Sequence, residues 1–108
     1  MAAVSNCLLR RFARVAGPDD GVVVDRPSAA LPRERKPRSV LELTPDGALV
    51  QAVPGPADAR VEQAGRWIEA GTDRLILRWE DGRPDTLVEV ISCDDDVLEL
   101  RVLAGSLG

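Results

Sequence analysis

After residue 20, hydrophobic and polar residues alternate with a period of two along most of the chain. That period is typical of β-strands that bury one face. The clearest case is the segment 73–79, in which Leu75, Leu77 and Trp79 share one face. The pattern predicts about eight short strands, at residues 8–15, 21–25, 39–43, 48–53, 61–69, 73–79, 85–91 and 97–103.

Short strands separated by regular turn signals favour an all-β fold. We predict a single domain over residues 1–108, built as a compact antiparallel meander and closed into a barrel or a strongly curled sheet. Residues 1–7 are expected to be frayed. The segment 26–38 contains three prolines and five basic residues, and it is expected to be a long basic loop.

Three positions predict local geometry. Thr44-Pro-Asp-Gly47 fits a type I turn, with proline at the second position and glycine at the last. Asp81-Gly82, within Glu80–Arg83, predicts a two-residue hairpin turn of type I′. Gly65 lies inside a predicted strand, which indicates a bulge or a close approach of another backbone.

Both tryptophans fall in one predicted hairpin, residues 61–79. If residue 69 pairs with 74, Trp67 lies opposite about position 76 and Trp79 lies near position 64. The two rings are then at separate levels of the ladder rather than stacked as a clamp. A large aromatic ring contributes strongly to a small core, so we expect at least one ring to be buried.

The N-terminal residues 1–17 carry three arginines and no acidic residue, so that wound as a helix they would imitate a mitochondrial presequence. We favour a first strand at residues 8–15. Cys7 and Cys93 are too few and too far apart for a disulfide framework or a zinc site. We expect two reduced thiols in a cytoplasmic protein, and the alternative is one bridge joining the first and last strands.

The composition argues against an enzyme, because the chain contains no histidine and so lacks the commonest general base. Asp94–Asp96 is expected to be a solvated turn, since three consecutive carboxylates cannot converge on one ion. No catalytic residue, metal ligand or cofactor is predicted. A buried, isolated carboxylate at Glu42, Glu62 or Glu89 would revive the enzyme hypothesis.

The net charge of −4 is unevenly distributed. Residues 1–38 carry eight Arg/Lys and four Asp/Glu, whereas residues 39–108 carry six Arg and fourteen Asp/Glu. An acidic body repels nucleic acid, so we predict no nucleic-acid partner. No stretch approaches the roughly 18 apolar residues of a membrane span, and no membrane partner is predicted.

Several short segments occur in the order typical of one group of proteins. They are Leu8–Phe12, Pro18–Asp20, Val24–Pro27, Leu31–Pro32, Leu41–Gly47, Pro54–Asp58, Gly65–Trp67 with the following DRLIL, and Asp96–Leu100. As an ordered set over residues 8–103, they resemble the small bacterial lipocalin-like proteins. The chain departs from that pattern at Phe12, where a tryptophan is expected, and at Arg10, where a glycine is expected. The resemblance implies a compact lipocalin-like barrel without an assigned enzyme activity.

We therefore predict a non-enzymatic lipocalin-like binding protein, a monomer or weak dimer, whose narrow barrel takes a small apolar molecule. The tentative ligand-binding residues are those expected to face the interior: Phe12, Trp67, Leu77, Trp79, Val90 and Leu100. The alternative is a protein-interaction or inhibitor module that acts on a protein partner through the barrel rim and the basic loop, with Arg33, Arg35, Lys36 and Arg38.

Overall fold

The computed structural model describes residues 7–27, 39–56 and 60–107. Within them the chain forms eight strands and closes them into one antiparallel barrel. The strands are β1 (Arg11–Asp19), β2 (Val22–Pro27), β3 (Val40–Leu43), β4 (Ala48–Pro54), β5 (Arg60–Glu69), β6 (Arg74–Trp79), β7 (Thr86–Cys93) and β8 (Leu98–Ala104). The all-β prediction and the closed barrel are confirmed.

The order of the strands around the barrel is β1-β2-β8-β7-β6-β5-β4-β3. Strands β3 to β8 form a continuous meander, and the β1–β2 hairpin closes the barrel in reversed order, with β1 next to β3 and β2 next to β8. A strictly up-and-down barrel would instead place β2 beside β3. The first hairpin is therefore the one part of the barrel that departs from a simple meander.

The predicted boundaries need correction at the start of the chain. Residues 7–10 precede β1 rather than opening it, and β1 continues to Asp19, four residues beyond the predicted end at residue 15. Arg26 and Pro27, assigned to the basic loop, are the last residues of β2. Residues 28–38, which hold the rest of that loop, lie outside the described residues.

Of the two turn predictions, one is confirmed and the other is wrong. Gly47 N donates to Thr44 O at 3.1 Å, so Thr44–Gly47 is the tight turn expected. The type I′ prediction at Asp81-Gly82 is wrong, because only Gly82 of this pair has a positive φ, 87°, and a type I′ turn needs both. That geometry belongs to Asp20-Gly21, with φ of 52° and 79°, between the paired residues Asp19 and Val22.

The alternation of the strands fills the barrel with apolar side chains. One continuous core contains Leu8, Phe12, Val23, Leu41, Leu43, Leu49, Leu75, Leu77, Trp79, Val88, Leu98, Leu100 and Leu107, with Leu9, Trp67, Val90, Cys93 and Val102 packed against it. Seven strands contribute buried residues to this core, and β5 contributes the half-buried Trp67. Leu8 and Leu107 come from the segments just before β1 and just after β8, so these segments cover the two ends of the barrel.

Two ends of the barrel can be distinguished. Residues 7–10 and the β3–β4, β5–β6 and β7–β8 turns lie at one end, which we call the Trp67 end. The β1–β2 turn, the β6–β7 loop and residues 105–107 lie at the other, which we call the Trp79 end. This assignment follows from the antiparallel order of the eight strands.

Candidate functional site

All six residues predicted to bind a ligand face the barrel interior. Phe12, Leu77, Trp79 and Leu100 are buried in its core, and Trp67 and Val90 are half-buried against that core. The structure thus brings together residues from five different strands. The prediction that these residues share one interior surface is confirmed, whereas their contact with a ligand stays a prediction.

The two tryptophans reach opposite ends of the barrel. Trp67 Nε1 donates to Thr44 O at 2.9 Å in the β3–β4 turn, and Trp79 Nε1 donates to Thr86 Oγ1 at 3.0 Å at the start of β7. Because each indole N–H has an acceptor, each ring can be buried without leaving a donor unpaired. The prediction of two separate levels is confirmed.

The register of this hairpin differs from the prediction by one residue. Trp67 pairs with Leu77 and Trp79 pairs with Gly65. Asp73 has a φ of 59° and belongs to the turn rather than to β6, which moves the pairing by one position. A shift of one residue exchanges the two faces of a strand, so Trp67 lies on the same inner face as Leu77 and Trp79.

Gly65 makes the close approach that its position in a strand suggested. A Cβ atom there would lie 2.2 Å from Arg78 O and 3.1 Å from Trp79 Cα. Only glycine allows the β5 and β6 backbones to come this near to each other.

Polar side chains gather beside Trp79, and we call Gln51, Gln63, Trp79, Arg83 and Thr86 the polar cluster. The Arg83 guanidinium lies over the Trp79 ring, 3.7 Å from its centroid. Arg83 Nη2 donates to Gln63 Oε1 at 2.9 Å and to Gln51 Oε1 at 3.2 Å. The two glutamines are paired across β4 and β5, so the sheet register sets the position of both acceptors.

The length of the β6–β7 loop is what brings Arg83 to this place. The loop runs from residue 80 to 85 instead of closing in two residues, and Asp81 Oδ1 accepts a hydrogen bond from Arg83 N at 3.1 Å. This local bond turns the chain back toward the barrel. The failed type I′ prediction therefore coincides with the loop that supplies the cluster's cation.

The hydrogen bonds of the polar cluster are incomplete. Gln51 is fully buried, yet within the described part of the chain its Nε2 has no acceptor, and neither does the buried Nε of Arg83. Asp81 Oδ2 lies 3.8 Å from Arg83 Nε, which is too long for a hydrogen bond. The cluster thus holds two buried N–H donors that have no acceptor in the described part of the chain.

A buried ion pair forms a second polar element of the interior. Arg14 Nε lies 3.2 Å from Asp25 Oδ1, and the two residues are paired across β1 and β2. Removal from water raises the pKa of Asp25, and the charge and hydrogen bond of Arg14 oppose this rise without cancelling it. Burial is thus the stronger influence on this carboxyl.

The three glutamates named for the enzyme hypothesis are not buried, isolated carboxylates. Glu62 is exposed, and Glu42 and Glu89 are only half-buried. Glu89 pairs with Arg101 at 3.5 Å. The buried carboxylate of the described chain is Asp25, and it faces Arg14 rather than a polar cavity.

The prediction of two reduced thiols is wrong, because Cys7 and Cys93 form a disulfide with a Cα–Cα distance of 6.2 Å. The bond joins the segment before β1 to the last residue of β7, rather than the first and last strands. Cys7 was expected to be frayed but is fixed by this bond. Structural disulfides persist in oxidising compartments, so the bond favours such a location, and the cytoplasmic location stays a prediction.

Asp94–Asp96 has a structural role in the β7–β8 turn. Asp94 Oδ1 accepts hydrogen bonds from Asp96 N at 2.8 Å and from Val97 N at 2.9 Å, and Asp95 pairs with Arg10 at 3.1 Å. Over residues 7–27, 39–56 and 60–107, no group of three potential ligands could hold a metal ion. The same residues contain no helix able to cross a membrane.

Sequence reasoning missed the interior polar residues, although three of them carried a signal. Each of the three lies two positions from a buried apolar residue of its own strand and therefore shares that residue's inward face. The pairs are Arg14 with Phe12, Asp25 with Val23, and Gln51 with Leu49. A polar residue at such a position is the exception that marks an interior polar site. Arg83 had no such signal, because it lies in a loop.

Compared with family models, curated proteins and solved structures, the chain gave no match in any of the three. The description of the fold as an eight-stranded antiparallel barrel therefore depends on its own geometry. The resemblance to lipocalin-like proteins stays a prediction from the sequence.

Proposed function

We propose that this chain is a non-enzymatic, lipocalin-like binding protein that takes one small apolar molecule in the interior of its barrel. The observation that supports the proposal is the main apolar core, to which seven strands contribute buried residues and β5 contributes the half-buried Trp67. An eight-stranded barrel has room for its own side chains or for one small ligand. Binding would therefore require a narrow molecule and some rearrangement of the side chains at one end.

The Trp79 end is the better entrance. The Trp67 end is covered by residues 7–10, which the Cys7–Cys93 bond, the Arg10–Asp95 ion pair and the buried Leu8 hold in place. At the Trp79 end, Arg83 is partly exposed and covers the ring of Trp79. Opening this end would require a swing of the Arg83 side chain and a displacement of residues 105–107, which carry the buried Leu107. That segment is held by a hydrogen bond from Thr86 Oγ1 to Ser106 O at 2.7 Å, whereas opening the opposite end would break a covalent bond.

The experiment is a titration with saturated hydrocarbon-chain ligands and a hydrophobic dye, followed by tryptophan fluorescence and thermal unfolding. A ligand that binds only the folded state stabilises it by about 2.7 kcal/mol at one hundred times its Kd. The expected result is a change in emission together with a higher Tm. Absence of both signals for every ligand in the set would overturn the proposal.

Two neighbouring residues of β7 give a matched pair of variants. Val90 faces the core and Ile91 is exposed on the outer face. Val90→Phe should fill the interior and weaken binding, while Ile91→Phe adds a ring outside the barrel and should leave binding unchanged. Equal effects of the two substitutions would place the ligand somewhere other than the interior.

A further inference from the structure

The two unfilled donors of the polar cluster restrict the chemistry of a ligand. Gln51 Nε2 and Arg83 Nε are buried and have no hydrogen-bond partner in the described part of the chain. A buried donor left without an acceptor is costly, and native proteins fill most such donors with protein groups, water or ligand. The two donors belong to side chains that are joined by the hydrogen bond from Arg83 Nη2 to Gln51 Oε1 at 3.2 Å, so one ligand group at this place would meet both side chains.

The unpartnered groups of the cluster are donors, whereas its two amide oxygens already have a partner. Gln51 Oε1 and Gln63 Oε1 each accept one hydrogen bond from Arg83 Nη2, so a group that accepts hydrogen bonds suits the cluster better than one that donates them. The Asp81 carboxylate is near Arg83 Nε, but at 3.8 Å it does not close a hydrogen bond. An oxygen acceptor would thus complete the hydrogen bonding of this nitrogen.

We propose that the polar cluster binds the carboxylate of an amphipathic ligand, with one oxygen accepting from Gln51 Nε2 and the other from Arg83 Nε. The inference extends the proposed function, since the hydrocarbon part of the same molecule would lie against the apolar interior. A carboxylate offers two acceptor oxygens, and its charge strengthens hydrogen bonds to a guanidinium. The Arg83 side chain is 23% exposed, so the carboxylate would remain near the rim.

The test compares three ligands that share one hydrocarbon chain: decanoate, methyl decanoate and decylamine. Their affinities are measured by isothermal titration calorimetry. We expect decanoate to bind about tenfold or more tightly than the ester, as for a hydrogen bond to a charged group, and decylamine to bind most weakly. Equal affinities for acid and ester would overturn the carboxylate proposal alone, whereas no binding of any of the three would overturn the proposed function as well.

Variants assign the preference to the two donors. Gln51→Met removes one of the two unpartnered donors, and Arg83→Met removes the other together with the rest of the guanidinium. Both should reduce the preference for acid over ester to less than about twofold. The matched control is Arg78→Met, which removes an arginine that is 63% exposed and pairs with Asp85 at 3.5 Å on the outer face. The control should keep the full preference for acid over ester. If Arg78→Met loses this preference to the same extent, the preference comes from the overall charge of the protein and not from the polar cluster.

Arg83→Lys is a more conservative variant, used in case Arg83→Met fails to fold. Lysine keeps the positive charge but lacks the Nε–H and the planar fork of arginine. Urea unfolding checks that each variant retains a cooperative transition before its affinities are measured. A wild-type preference in both Gln51→Met and Arg83→Lys would overturn the assignment of the two donors.

Discussion

The disulfide between Cys7 and Cys93 closes a loop of 86 residues, and serine at both positions opens that loop. A cross-link restricts the unfolded chain by an amount that grows with the logarithm of the loop length, and the relation gives about 4.5 kcal/mol for a loop of this size. Small domains have a total stability of about 5–15 kcal/mol. We therefore expect the double variant Cys7→Ser/Cys93→Ser to lose a large part of the free energy of unfolding.

The bond also fixes the Trp67 end of the barrel. Residues 7–10 carry the buried Leu8. Without the bond, the contacts that hold them within the described part of the chain are the exposed Arg10–Asp95 ion pair and the packing of Leu8 and Leu9. An exposed ion pair contributes at most about 1 kcal/mol. Local opening of this segment should thus accompany the loss of global stability.

The assay is urea unfolding followed by tryptophan fluorescence, since Trp79 is buried in the core and Trp67 packs against it. Reductant added to the wild type should reproduce the effect of the two serines, and it should leave the double variant unchanged. A difference of less than about 1 kcal/mol between oxidised wild type and double variant would refute the loop-closure reasoning.

Three further substitutions have effects that can be read from the structure with the same urea assay. Leu8→Ala should lower the free energy of unfolding by about 3 kcal/mol, because it empties a fully buried site; a loss under about 1 kcal/mol would contradict the packing of that segment. Gly65→Ala should lower it by about 1–3 kcal/mol through the clash with Arg78 O, and an unchanged midpoint would rule the clash out. Burial raises the pKa of Asp25 above its ordinary value of 3.8, so the folded state holds this proton more tightly than the unfolded chain does. The free energy of unfolding of the wild type minus that of Asp25→Asn should therefore fall as the pH rises from 3.8 through the folded pKa. A rise of this difference over the same range would contradict the sign of the pKa shift.

The barrel could be predicted from the sequence because one simple pattern dominates it. The alternation in residues 73–79 and the Thr44–Gly47 turn follow from local chemistry, and both are present in the structure. The boundaries of β1 could not be read in the same way. Residues 7–10 are as apolar as a strand would be, but the disulfide and the burial of Leu8 hold them outside the ladder.

The interior polar groups were harder to predict, since they depend on contacts between distant parts of the chain. Gln51 and Arg83 are 32 residues apart in sequence, and they meet only because the β6–β7 loop is longer than its Asp-Gly sequence suggests. The reversed order of the β1–β2 hairpin is likewise a property of the whole sheet. Alternation within a strand carries no information on which strand lies beside it.

The central claim is that the barrel interior binds a molecule whose carboxylate meets the polar cluster. The most direct test is a two-dimensional 1H–15N NMR titration with decanoate, because the side-chain amide of Gln51, the Nε–H of Arg83 and the indole N–H of Trp79 each give a resolvable signal. We expect all three signals to shift together, with smaller changes at the indole N–H of Trp67. A saturating titration in which these three signals stay in place, or in which only outer-face residues shift, would contradict the account.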